Sequence, residues 1–126
     1  MEQLYLEFDE MELKKNLALF YEIVNDKNGD MEEAFIEFSD RYIKGKMDLA
    51  IFLQVINIII LFIKSKENYK KLLPAILRVK EFMIKNKKQH INIIYELLIY
   101  IYYNINNSDE VIKLSRKLFE LDNKNR

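Results

Sequence analysis

The 126-residue sequence has no cysteine, no tryptophan and no threonine, only two glycines, one proline and one histidine. Without cysteine there is no disulfide, no thiolate metal site and no cysteine nucleophile. Two glycines are too few for the usual phosphate-cradling loops. So little glycine and proline, with few alternations of β-branched and polar residues, leaves helix as the regular structure to expect. A long hydrophobic run is also missing. The most apolar stretch, Leu49–Ile63, has 15 residues and contains Gln54 and Asn57, whereas a membrane-spanning helix needs about 20. It reads as a buried core helix. The chain opens MEQLYLEFDE, with acids where a secretory leader needs bases. The expectation is a cytoplasmic protein without a membrane role.

Half the residues are apolar, enough for one folded domain, residues 1–126, with a real core. The 20 basic and 20 acidic side chains cancel, but unevenly along the chain. Residues 1–40 hold 12 acids and 3 bases, residues 41–91 hold 12 bases and 3 acids, and residues 92–126 hold five of each. The overall balance excludes a simple polybasic nucleic-acid binder and an acidic disordered tail, but not a local basic face.

Hydrophobic spacing predicts six helices. The first runs from about Asp9 to Asp26 with Leu13, Leu17, Phe20, Tyr21 and Val24 in one stripe. Asn28-Gly29-Asp30 turns the chain, and Asp30 with Glu33 makes a capping pattern for the second, striped by Ala34, Phe35, Phe38 and Tyr42 and ended by Gly45. The third runs from near Asp48 to about Lys64 and is apolar on nearly every side. Ser65–Asn68 turns into the fourth, with Tyr69, Leu72, Ile76, Val79 and Met83 on one face. Pro74 either marks its first turn or kinks it, depending on where the helix begins. The fifth spans about Gln89 to Ile105. Ser108 is expected to cap the sixth, striped by Val111, Leu114, Leu118 and Leu121. The helices fall into three hairpins, at about 9–45, 48–86 and 89–122.

Chemistry-bearing constellations are scarce. His90 has no cysteine to activate, and Ser39, Ser65, Ser108 and Ser115 read as caps or helix faces, so no nucleophile–base pair is in view. Asp26–Asp30 looks superficially like a calcium loop, but aligning Gly29 to the loop glycine places Val24 and Phe35 at ligand positions. No enzyme activity, metal or cofactor is expected. Nine Lys/Arg lie between Lys64 and Lys88. They read first as a solvated outer face, next as a match for the acidic first 40 residues within or between molecules. Last comes a nucleic-acid contact through Lys85, Lys87 and Lys88.

Repetition is the sharper signal. In the last hairpin Leu98 and Tyr102, then Val111, then Asp122-Asn123, follow the order of the tetratricopeptide repeat: a Leu-Gly-x-x-Tyr core, a small residue in the second helix, and an Asp-Pro near the end. Ile99 stands where that family has glycine. Leu17-Ala18-Leu19-Phe20-Tyr21 and Gly29–Ala34 of the first hairpin, and Tyr69–Leu72 of the second, take matching places. Ala34, Leu72 and Val111 are separated by 38 and 39 residues, a near-constant period. Over residues 9–125 the chain thus resembles a tetratricopeptide-like array, an all-α fold of three stacked antiparallel helical hairpins. A compact helical bundle is the alternative.

The resemblance implies a concave face lined by the odd-numbered helices. In the second hairpin that face holds Gln54, Asn57, Leu61 and Lys64; in the third, Glu96, Tyr100, Tyr103 and Asn104. It places the polar interruptions of two greasy helices on a wet groove, where they avoid the cost of burial. In a bundle, Gln54, Asn57 and Glu96 would instead bond to one another or to tyrosine hydroxyls in the core. The function so implied is non-enzymatic binding of a peptide or helix of a protein partner, as scaffold, chaperone-like binder or complex subunit. The alternatives are a small regulator or inhibitor of a larger protein, or a nucleic-acid-associated protein. Ile112 and Phe119 lie off the last helix's stripe, which adds an expectation of homo-oligomers or an obligate partner.

Overall fold

In the computed structural model, residues 9–124 are described, with side chains for residues 9–122. Residues 1–8 of the segment read above for a leader and the side chain of Asn123 lie outside them. The described residues form six α-helices and no strand: α1 (Glu10–Asp26), α2 (Met31–Ile43), α3 (Leu49–Ile60), α4 (Lys66–Lys85), α5 (Ile91–Asn104) and α6 (Ser108–Lys124). The fold class expected from hydrophobic spacing is the one observed. None of these helices is long and apolar enough to cross a membrane.

The chain divides into two compact units, residues 1–64 and residues 65–126. The division falls within the 48–86 segment expected as the middle hairpin, so α3 belongs to unit 1 and α4 to unit 2.

In unit 1 each of the three helices packs on the other two. The α2 stripe is buried as hydrophobic spacing predicts, but the α1 stripe is corrected: Phe20 is buried together with Ile23, which the stripe left out, while Tyr21 is exposed and Leu13, Leu17 and Val24 are half-buried. The buried rings meet in a run of aromatic contacts. Phe20 of α1 stacks on Phe35 with ring centroids 5.4 Å apart and meets Phe38 edge-on at 5.4 Å. Phe38 stacks on Phe52 of α3 at 5.8 Å, and Phe52 on Tyr42 of α2 at 5.8 Å. Aromatic pairs at these separations add to the stabilisation from burial. Ser39 is fully buried among them, and its hydroxyl donates to the Ile36 carbonyl at 2.7 Å, which satisfies it locally.

In unit 2, α5 is the middle helix, packed on both α4 and α6. Leu72, Ile76 and Met83 of α4, Ile94, Leu98 and Ile101 of α5 and Leu114 of α6 form its buried centre. Only Leu114 of the α6 stripe is buried; Val111, Leu118 and Leu121 are half-buried, while Ile112 and Phe119 are exposed.

With two glycines, the chain ends its helices by one repeated device. At the ends of α1, α2, α4 and α5, a residue with positive φ follows the last turn and the next amide reaches back across it. Gly29 N–H donates to Val24 (2.9 Å), Lys46 to Arg41 (2.8 Å), Lys88 to Met83 (2.9 Å) and Asn107 to Tyr102 (2.9 Å). These are Schellman closures. The left-handed residue is Gly45 only at α2; at the others it is Asn28, Lys87 and Asn106.

Helix starts differ from expectation in two places. Asp9, Asp30 and Ser65 accept from the amides of Met11, Glu33 and Asn68. At α6, however, the cap is Asn107, whose Oδ1 accepts from Glu110 N–H at 3.2 Å, and Ser108 is the first helical residue. Asn106-Asn107 ends one helix and starts the next, so two residues do what a longer turn would. Pro74 lies inside α4, which begins at Lys66. It therefore cannot mark the first turn, and it leaves the Lys70 carbonyl without its helical donor.

Candidate interaction surface

Four of the residues assigned to a binding face lie on α5: Glu96, Tyr100, Tyr103 and Asn104. Their spacing places them on one stripe of the helix. The opposite arc of α5 is buried through Ile94, Leu97, Leu98 and Ile101. The stripe is consequently the side of the middle helix that unit 2 leaves open. Tyr103 is 70% exposed and Tyr100 46%, while Glu96 and Asn104 are half-buried. Asn104 turns its amide back, donating to the Tyr100 carbonyl at 2.8 Å.

A third tyrosine supports this pair. Tyr69 of α4 is buried, and its ring meets Tyr100 edge-on, centroids 6.1 Å apart with 75° between the planes. Burial, a hydrogen bond between the two side chains and the repulsion of the Tyr100 charge together push the Tyr69 hydroxyl up to about 12. Tyr95 and Tyr102, on the packed side of α5, are also raised, in each case mainly by burial. Tyr69 thus buries its ring against the side of Tyr100 that faces α4. In the same first turns of α4, Lys66, Lys70 and Lys71 are exposed. Lys70 leans toward Glu67 at 3.7 Å, an exposed pair worth little. Hydrophobic spacing alone placed Tyr69 in a core stripe. Its support of the stripe appears only once α4 is packed beside α5.

The other four assigned residues lie in unit 1. Gln54 is half-buried and Asn57 exposed on α3. Asn57 is therefore not part of the core network that a bundle would need. The expected run of the third helix to about Lys64 is corrected: α3 stops at Ile60. The amides of Leu61, Phe62 and Ile63 donate three residues back, to Ile58, Ile59 and Ile60, at 3.0–3.2 Å. This tighter winding ends the helix and turns the following side chains off its register. Leu61 caps α3 and is 78% exposed; Lys64 is exposed beyond it. Leu61 and Lys64 are therefore not helix-face residues, contrary to the register the resemblance implies. Phe62, 69% exposed, is an apolar side chain that no stripe anticipated.

The weaker alternative set, Lys85, Lys87 and Lys88, is exposed around the α4–α5 turn. Lys88 Nζ sits 5.7 Å from the Phe82 ring centroid, a cation–π contact within its own turn. His90 is exposed at the start of α5, in left-handed conformation, and its side chain makes no capping bond. No group of three or more His, Cys, Asp or Glu among the described residues could hold a metal ion.

No family model matches the sequence, and neither a curated protein nor a solved structure shows significant similarity to it.

Proposed function

We propose that this chain is a non-enzymatic, cytoplasmic protein-interaction module whose α5 stripe in unit 2 docks a peptide or helix of a protein partner, in the manner of tetratricopeptide-like arrays. One observation carries the reading. Two large tyrosines stand exposed on a helix whose other side is packed, and a third, buried tyrosine meets one of them edge-on. Tyrosine brings a wide apolar ring and a polar tip into contact while losing little conformational freedom, and a rigid mounting lowers that loss further. Glu96 and Asn104 add polar groups beside the rings, where hydrogen bonds set register and orientation. No part of the mechanism needs a cofactor or a covalent step.

The test is an affinity pull-down from native lysate with the wild-type chain and the double variant Tyr100→Ala/Tyr103→Ala. Truncating central aromatic anchors typically costs 2 kcal/mol or more, about thirtyfold in affinity. The partner recovered by the wild type should be lost or strongly depleted with the variant. Equal recovery by both would refute the stripe as the docking site.

A further inference from the structure

We infer that the occupant of the tyrosine stripe is a second copy of this chain, which presents the acidic surface of its unit 1 to the tyrosines and lysines of unit 2 in a reciprocal dimer. The inference rests on the reading of the stripe as a docking surface and adds what docks there.

Charge selects the occupant. The zero net charge of the chain divides at the boundary between the compact units. Residues 1–64 carry 13 acids against 7 bases, net −6, and residues 65–126 carry 13 bases against 7 acids, net +6. In unit 1 most of the imbalance falls between Glu22 and Glu37, beside the exposed Tyr21; in unit 2 three of the bases stand at the start of α4, where the buried Tyr69 meets the exposed Tyr100. In unit 2, Lys66, Lys70 and Lys71 are exposed in the first two turns of α4, the part of the helix that carries Tyr69, with Glu67, 3.7 Å from Lys70, the only acid between them. In unit 1, six exposed carboxylates fall between Glu22 and Glu37. Lys27 is the one base in that segment, 3.5 Å from Glu37. Tyr21, 53% exposed, adjoins Glu22 and gives this acidic surface an apolar side chain of its own. Aromatic contact ringed by opposite charge is the arrangement that speeds encounter and excludes like-charged partners.

Each copy carries one unit of each sign, and in the proposed dimer a two-fold axis makes the two acidic-to-basic contacts equivalent.

The test uses the full chain in sedimentation equilibrium and light scattering across a concentration series. Measurements are made at about 20 mM and about 500 mM salt, between which the screening length falls from about 20 Å to about 4 Å. The expected result is a concentration-dependent shift from the 15.3 kDa chain to twice that mass at low salt, with the midpoint moved at least tenfold upward at high salt. Two charge-reversed variants then decide the pairing: Glu22→Lys/Asp26→Lys/Glu37→Lys in unit 1, and Lys66→Glu/Lys70→Glu/Lys71→Glu in unit 2. Each alone should sediment as a monomer with its helical circular dichroism intact, and an equimolar mixture of the two should recover the dimer. Tyr100→Ala/Tyr103→Ala should weaken the wild-type dimer at least tenfold.

A chain that stays at 15.3 kDa under all conditions overturns the proposal while leaving the stripe open to another protein. Monomers that instead shift a single-stranded oligonucleotide overturn it in favour of nucleic acid. A dimer that resists salt, or a variant mixture that fails to pair, overturns the electrostatic assignment. A dimer that depends on charge but ignores the tyrosine variant overturns its placement on the stripe.

Discussion

Lys87 holds a φ of 51° at the end of α4, where its backbone takes the conformation glycine adopts without cost. Its side chain is exposed, so nothing but the turn depends on it. Lys87→Gly should therefore stabilise the protein by about 1 kcal/mol in urea unfolding. Gly45→Ala should do the reverse by a similar amount: a Cβ there meets nothing within 4 Å, so the backbone strain at φ 76° is the whole effect. If the two substitutions move stability in the same direction, the closures are not what sets it. At the same scale, Tyr69 gives a pH dependence with a definite sign. Its folded-state value, about 12, lies above the ordinary tyrosine value of 10.0, so the folded state binds its proton more tightly than the unfolded state. The associated stability is present below pH 10 and is lost as pH rises toward 12. Urea midpoints should fall across that window, and Tyr69→Phe should flatten the part of the fall that Tyr69 contributes. The buried Tyr42, Tyr95 and Tyr102, also raised mainly by burial, act in the same direction.

At the scale of elements, the two units hold their helices by different means. In unit 1 Phe38 of α2 touches both other helices, fully buried against Phe20 of α1 and Phe52 of α3. Removing that ring opens a cavity in a closed packing. Phe38→Ala should cost about 3–5 kcal/mol, read as a lowered denaturation midpoint with loss of near-ultraviolet aromatic signal. In unit 2 the middle helix is clasped from two sides, and α4 carries a proline in its interior. Pro74→Ala should restore the helical bond to the Lys70 carbonyl and raise stability by about 1–3 kcal/mol. Were Pro74→Ala instead destabilising, the proline ring would be making a packing contribution larger than the backbone defect.

For the whole molecule, the division at Lys64 and Ser65 makes a statement about accessibility. Leu61, Phe62, Lys64, Ser65 and Lys66 are all exposed. A cut there severs no helix packing within either unit. Brief trypsin treatment should cleave first after Lys64 or Lys66 and leave two fragments, read by mass spectrometry. First cleavage at Lys44–Lys46 or Lys87–Lys88, which are also exposed turns, would contradict the division. The same boundary turns a neutral chain into an acidic unit and a basic one, and this is the feature on which the proposed dimer depends.

The sequence by itself determined the six helices, because apolar spacing, caps and turns are properties of neighbouring residues. Leu72, Ile76, Val79 and Met83 read as one stripe and are one buried face. It determined the segregation of charge, which is counted along the chain; the choice of Glu96, Tyr100, Tyr103 and Asn104 as a shared face comes from the resemblance to tetratricopeptide arrays, and their helical spacing is compatible with one stripe of α5. The tertiary structure decided what depends on distant segments. It grouped the helices three and three, because which stripe meets which is a matter of shape and volume rather than of local pattern. It decided that α3 ends early, leaving Leu61 and Lys64 off its face. It joined Tyr69 to Tyr100 across 31 positions of sequence, a pairing that neither periodicity nor capping encodes and that only the packing of α4 against α5 brings about.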